Sequence, residues 1–463
     1  MTERKVWGVV LILCLGSRLM SAVYYIEDLD SLRFALGVVD YDVTKLQPHF
    51  PAYPVFCFFA KAIYAFTDRY AVAFAVLGGA ATFGIIYFAL GIAQIKITTP
   101  LGLIAVLLLF FNPLLWLMSN RYMPDAMGVA GVLACCYFAA KQESGKAGLG
   151  FFIAGISLGV RLSYAPMLLV PLLLRLKERG PRLQFVAAGA AGVAVWLIPL
   201  IAITGWTELT KAAQTQTQGH FVDFGGTVAT ESDFALRSLG LFESIWADGF
   251  GLYWEGRHVV TACTTVALLG ILAVNWRAVV QRVNCSMFLS APFIGCVLYL
   301  GWIFLFQNVV HKSRHVLPLV PFLSLILAFA CAQIATQGPR FFRLVVVAFF
   351  LCYGYVTLHL VVQHKKPTAI AQIYQYLAAK KSDDLHIASV PLIKYYLASQ
   401  ALRAVYMPIR DQGDLDGLDA LGDTAELVVI GSPLQDRVPK VTKTFYHNPY
   451  VNRMWSELTV YEY

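Results

Sequence analysis

Residues 5–34 read KVWGVVLILCLGSRLMSAVYYIEDLDSLRF. An apolar run long enough to cross a bilayer ends on three carboxylates, Glu27, Asp28 and Asp30. Such a start reads as a transmembrane helix that delivers acids to one membrane face. The rest of the chain agrees. Of its 463 residues, 58% are hydrophobic and only 14% are charged, too apolar a balance for a soluble globular protein. The apolar runs are continuous over about twenty residues rather than alternating over about ten, which favours helices over a transmembrane β-barrel. The net charge of +8 sits largely in short loops, where it orients helices, and calls for no nucleic acid.

Counting apolar runs gives about eleven spans. They fall near 6–25, 70–93, 101–119, 124–140, 147–162, 164–175, 183–204, 258–275, 285–306, 315–335 and 341–362. The fifth and sixth form one long run broken between Arg161 and Pro166, and fit either two spans or a re-entrant pair. The short, Pro-flanked segment 54–66 fits an interfacial helix or an extension of the second span. Lys and Arg supply the orientation. Arg4 and Lys5, then Lys96, Lys141, Lys146, Arg175, Lys177, Arg179, Arg182, Arg277, Arg282, Arg340 and Arg343 all share one side if the N-terminus is cytoplasmic. The other side then receives loops 26–69 and 205–257 and everything after about residue 363.

The expected architecture is therefore a polytopic α-helical membrane domain over 1–362, with a small extracytoplasmic α/β domain over 363–463. In that tail "LHIASV", "ELVVIG" and "LTVYEY" read as strands and "AIAQIYQYLAAKK" as a helix. The Lys/Arg start also fits a cleaved signal peptide, but the length of the run and the embedded chain behind it favour a retained helix. Eight of the nine cysteines lie inside apolar spans and Cys57 begins one, so neither a disulfide framework nor a thiolate metal site is expected. The compact loops suit a bacterial inner-membrane protein.

Carboxylates beside a span often do nothing beyond solvation. Here three stand within four residues. Arg18 lies inside the first span, where a charge needs a partner. The segment that follows, "VVDYDVTKLQPHFPAYPVF", is dense in Pro and aromatics and reads as a shaped loop. The same side collects Arg121 and Asp125 in "SNRYMPDAM", Arg161 in "GVRLSYAP", and His311, Lys312, Arg314 and His315 in "QNVVHKSRHVLPLVP". Each alone reads as a loop or snorkelling charge. Together they surround one mouth of the bundle with acids and cations, a pattern suited to an acid or base beside an anion site.

Three stretches carry a resemblance. "DSLRFALG" is similar to the DE-x-RYA pattern of the protein mannosyltransferase and aminoarabinose-transferase group. "QPHFPAYPVF" looks like the HPPGYPLF box of a related set, with Ala52 in place of the glycine, Phe50 in place of the first proline, and His49, Pro51, Tyr53 and Pro54 retained. "RHVLPLVPFLSL" is similar to RYxLPxxPxL before a late helix. The chain thus resembles the GT-C glycosyltransferases, integral-membrane enzymes that use polyprenyl- or dolichyl-phosphate-linked sugars.

The resemblance implies sugar transfer from a polyprenyl phosphate to a hydroxyl of a protein, lipid or glycan acceptor, on the extracytoplasmic side and with inversion. It puts the catalytic aspartate at Asp30, with Ser31 where the pattern has a second acid, which leaves Asp28 or Glu27 to share the role. A carboxylate in reach of the acceptor takes its proton, and fixed cations stabilise the leaving phosphate. Arg161, Lys312 and Arg314, with His311 and His315, are the expected donor-phosphate partners. Arg121 and Asp125 would close the acceptor side, and His49 and Tyr53 would shape the sugar pocket. Arg18 reads equally as an anion ligand or as a counter-ion for the acids. Some members of the class use a divalent ion, but no His, Asp or Glu spacing here independently signals one. Two rival readings remain. One is a multispan transporter or lipid flippase, against which stand the missing repeat and acids placed at a mouth rather than at midplane. The other is an assembly protein whose outer domain binds partners.

Overall fold

A computed structural model describes residues 2–463 except 179, 224, 283–289, 381–383, 412, 415–417, 419–425 and 436. Arg179 and Cys285 therefore lie outside the described residues. In chain order the helices are α1 (Glu3–Met20), α2 (Leu29–Val39), α3 (Pro54–Thr67), α4 (Tyr70–Ile92), α5 (Pro100–Phe110), α6 (Pro113–Asn120), α7 (Asp125–Ala139), α8 (Ser144–Val160) and α9 (Ala165–Lys177). There follow α10 (Arg182–Thr204), α11 (Trp206–Gln218), α12 (Phe234–Glu243), α13 (Val260–Arg282), α14 (Ala291–Phe306), α15 (Val320–Gln337), α16 (Arg340–His364), α17 (Ala369–Lys380) and α18 (Pro391–Ala398).

The chain forms two compact units. One comprises Met1–Val23 and Arg33–Val362, and the other comprises Tyr24–Leu32 and Gln363–Tyr463. The acidic stretch therefore belongs to the same unit as the tail.

In the first unit the apolar runs become helices. By length and composition, five helical segments among the described residues can cross a membrane, or six if the bent pair α5–α6 is one span. The protein is an integral, multi-pass helical membrane protein. The run read as one span at 101–119 is broken and bends by 52°. Pro113, which has no N–H to give a preceding turn, opens α6. Asn112 caps that helix by accepting the Leu115 N–H at 2.8 Å, while its Nδ2 donates to the Gly249 carbonyl at 2.6 Å. The break at Arg161 is a short 3₁₀ turn, Leu162–Tyr164, between α8 and α9. Small residues let helices meet closely, as lipid-embedded packing requires. A Cβ added at Gly192 of α10 would stand 2.2 Å from the Phe152 carbonyl of α8.

In the second unit, β1 (Leu385–Ser389), β2 (Val405–Pro408), β3 (Glu426–Ile430), β4 (Val441–Tyr446) and β5 (Glu457–Glu462) make one sheet in the order β2-β1-β3-β5-β4. β1 pairs in parallel with β2 and β3, whereas β5 runs antiparallel to β3 and β4. β3 is buried almost throughout, as a central strand covered on both faces should be. Lys380, closing α17, sits 2.6 Å from Glu426 and 2.8 Å from Glu462. Burial pushes its ammonium down, and the two carboxylates outweigh that and raise it above lysine's usual value.

Candidate functional site

In the first unit a buried polar cluster forms where α7 begins and α8 ends. Arg161 Nη2 lies 3.1 Å from Asp125 Oδ1, with side chains 5% and 0% exposed. The Tyr164 hydroxyl donates to the same oxygen at 3.4 Å. Gly128 makes this approach possible, since a Cβ there would stand 3.0 Å or less from Arg161 and Tyr164 atoms. Tyr164 meets Tyr299 edge-on at 5.6 Å, and the Tyr299 hydroxyl donates to the His315 carbonyl at 2.9 Å. Three buried atoms here make no hydrogen bond among the described residues: Asp125 Oδ2, Arg161 Nε and His315 Nδ1. Buried polar atoms normally find a partner, so exceptions mark places built for something else.

The basic residues of the same neighbourhood act on one another. His315 stands in the field of Arg314, Arg161, Lys312 and His220. Arg314 donates to the Met123 sulfur at 3.0 Å. Arg121 and Met123 line a small apolar cavity with Phe56, Phe74 and Ser119. Arg161 lies within electrostatic reach of Tyr53. The first unit thus gathers Tyr53, Asp125, Arg161, Lys312, Arg314 and His315. His311 is exposed, its amide held by the Asn308 side chain at 2.9 Å.

The loop carrying His49 and Tyr53 is shaped as its Pro and aromatic content suggests. The Tyr53 hydroxyl and His49 Nε2 stand 3.4 Å apart, and Phe34 packs edge-on to both rings. Ala52 and Tyr53 take φ of +71° and +48°, in the left-handed region. Ala52 occupies the position of the glycine in the similar box, and its φ supplies the physical reason for a glycine there. The Tyr41 hydroxyl holds the Ala52 carbonyl at 2.9 Å. Ala52→Gly is expected to leave stability within about 1 kcal/mol of wild type, because relief of left-handed strain is offset by added chain entropy and by loss of a methyl buried among Val43, Leu200 and Leu209. Thermal melts of the detergent-solubilised protein check this, and a loss of more than about 2 kcal/mol would contradict it.

Arg18, expected as anion ligand or counter-ion, is fully buried and packs 4.0 Å over Trp116, with Nη2 donating to the Phe110 carbonyl at 3.3 Å. Ring and carbonyl together hold the charge inside the unit.

In the second unit the three acids are sorted by their partners. Glu27, 1% exposed, accepts from His364 Nε2 at 2.7 Å. Asp28 is the cap of α2: its Oδ1 accepts the Ser31 N–H at 2.8 Å and its carbonyl accepts the Leu32 N–H. Its other oxygen accepts from Asn452 Nδ2 at 3.0 Å. Asp30, 7% exposed, sits in the first turn of α2, where the helix dipole favours a carboxylate. Tyr396 donates to the Ile26 carbonyl at 2.5 Å. Burial first, then the Asp28 and Glu27 carboxylates, hold its phenol protonated well above the usual tyrosine range.

Sequence reading missed His364, Asn452 and Tyr396, which carry no local signal. It also missed Arg237, buried within "DFALRSLGLF", which donates to the Phe304, Gly226 and Gln307 carbonyls and so caps the end of α14. Among the described residues no group of three or more His, Cys, Asp or Glu is placed to hold a metal ion.

No protein-family model matches the chain, and no curated protein is significantly similar to it. Solved structures do match. ArnT from Cupriavidus metallidurans in the apo state aligns with a TM-score of 0.53 at 11% identity, over 99% of this chain and 98% of that one. The same protein bound to undecaprenyl phosphate aligns with a TM-score of 0.52 at 10% identity, over 98% and 97%. The likeness is one of fold, and this chain shares the ArnT fold along nearly its whole length, as the resemblance to the aminoarabinose-transferase group implies.

Proposed function

We propose that the protein is a membrane glycosyltransferase that takes a sugar from a polyprenyl-phosphate donor. The observation that carries this reading is the buried Arg161–Asp125 pair, 3.1 Å apart and with Arg161 Nε making no hydrogen bond among the described residues, in the same membrane unit as Lys312, Arg314 and His315. That is a chemistry for a lipid-linked phosphate, and the ArnT structure sharing this fold is one bound to undecaprenyl phosphate. In the proposed reaction the acceptor hydroxyl attacks the anomeric carbon. Its proton passes to Asp30, the bond from that carbon to the phosphate oxygen breaks, and the lipid phosphate leaves with the electron pair. One displacement inverts the anomeric centre. Lys312, Arg314 and the Nε–H of Arg161, with His311 and His315 beside them, take the phosphate. Tyr53 and His49 shape the sugar pocket, and Asp125 with Arg121 closes the acceptor side. Hexose or pentose donors both fit this scheme, as do protein, lipid or glycan acceptors.

The reading extends to topology. About eleven spans, a cytoplasmic N-terminus and an extracytoplasmic tail, in a bacterial inner membrane, agree with the Lys and Arg distribution.

The test uses protein reconstituted in nanodiscs with a radiolabelled polyprenyl-phosphate sugar and a cell-envelope extract as acceptor source. Release of polyprenyl phosphate together with labelled product is expected. Donor crossing sealed vesicles without any covalent transfer would instead establish a flippase.

A further inference from the structure

We infer that the C-terminal unit is a positioning device for the first-loop acids, with His364 and Asn452 as its two positioning residues. This rests on the proposed transfer reaction and assigns the tail a part in it.

Residues 25–28 each find a partner in the tail, more than 330 positions away in the chain. The Tyr25 hydroxyl donates to the His364 carbonyl at 2.8 Å. The Ile26 carbonyl accepts from Tyr396. Glu27 is held twice, its carboxylate by His364 at 2.7 Å and its carbonyl by the Thr368 hydroxyl at 2.7 Å. Asp28 is held by Asn452 at 3.0 Å. Backbone and side chains are thus tied together, and the segment has little freedom left.

The donors are themselves fixed. A carboxylate only accepts, so His364 Nε2 carries the proton. Asn452 Oδ1 accepts the Met454 N–H at 2.9 Å, which turns its Nδ2 toward Asp28. Behind it, the Ala369 N–H donates to His447 Nδ1 at 3.0 Å, so His447 Nε2 carries the proton given to the Asn452 carbonyl at 2.7 Å. A continuous chain of hydrogen bonds therefore runs from the start of α17 through His447, Asn452 and Asp28 to the Ser31 N–H in the first turn of α2. Asp30 stands in that turn. Asp28 serves as the cap that orients the turn, and the tail decides where the cap sits.

The experiment uses the full-length protein in nanodiscs, with Asn452→Ala, His364→Ala and His364→Gln. The two alanine variants are expected to lower kcat about 10–100-fold, the cost of slight misplacement at a reacting centre. Donor KM is expected to stay within about threefold, because the phosphate cations are untouched. His364→Gln, whose amide can also donate to Glu27, is expected to keep most of the activity. Hydrogen exchange gives a second readout. Amides of 24–34 are expected to exchange about tenfold faster in the alanine variants, with β1 and β3 unchanged. Unchanged exchange of 24–34 overturns the proposal. So does equal acceleration in β1 and β3, which would make these residues mere supports of the domain, and so does a His364→Gln protein as impaired as His364→Ala. A wild-type protein with no transferase activity overturns the proposed function instead, and the exchange arm still decides the positioning.

Discussion

Asp30→Asn is expected to cut kcat by about 10²–10⁴-fold, the usual worth of a general base. The substitution keeps the shape and most of the hydrogen-bonding capacity of the side chain and removes its ability to hold a proton. Asp30 is nearly buried in the first turn of α2. Removing a charge from that position costs the helix only about 0.3–1 kcal/mol, so the variant should still accumulate in the membrane. Asp28→Asn supplies the contrast. Asparagine is as good a cap as aspartate, so this variant should keep α2, but its single amide oxygen cannot accept from both Ser31 and Asn452, and it should lose activity about 10–100-fold, like Asn452→Ala. The measurement is the rate of polyprenyl-phosphate release per protein molecule, normalised to membrane abundance. If Asp30→Asn turned over like the wild type while Asp28→Asn or Glu27→Gln did not, the base would be one of those acids and the assignment by similarity to the DE-x-RYA pattern would be wrong.

The sequence made the acids visible as a group but could not sort them. Their number, their place after an apolar run and their likeness to a known pattern are all local. What separates them is not. Glu27 is distinguished by His364 and Asp28 by Asn452, residues in the chain's last hundred that nothing local links to the first loop. The same limit applies to Arg18. A cation inside a span announces that it needs a partner, but a carbonyl and an indole leave no complementary charge in the sequence to find. The apolar runs were the most legible feature because hydropathy acts over a whole segment: the runs at 70–93, 183–204 and 341–362 appear as α4, α10 and α16 within a few residues. In the tail the buried strands β1 and β3, the C-terminal strand β5 and the helix α17 were readable. β2 and β4, at the two edges of the sheet, were missed because they are short or largely exposed and lack the apolar content that marks a buried strand. The bend between α5 and α6 had a visible cause in Pro113, hidden by the unbroken hydropathy around it.

The buried pair Asp125–Arg161 should separate structure from chemistry. Either single substitution, Asp125→Ala or Arg161→Met, leaves a lone charge with almost no solvent access, and each is expected to cost about 3–5 kcal/mol of stability. The double variant removes both charges and is expected to recover most of that loss, since a buried pair contributes little net stability over an apolar replacement. Thermal melts of detergent-solubilised protein measure the three against wild type, and the coupling follows from the cycle. Activity should not recover with stability. Among the described residues the buried Arg161 Nε–H has no acceptor and Asp125 Oδ2 has no donor, and Arg161 lies in the field of the cations around His315. If these groups meet a substrate's phosphate and hydroxyl, the double variant folds and turns over at least about 10²-fold more slowly, as expected when a preorganised charge partner is lost. A double variant as stable and as active as wild type would make the pair a packing feature only and would move the phosphate site onto Lys312 and Arg314. Single variants within about 0.5 kcal/mol of wild type would show that water reaches both charges, which is incompatible with the dry cleft that electrostatic stabilisation of the leaving phosphate requires.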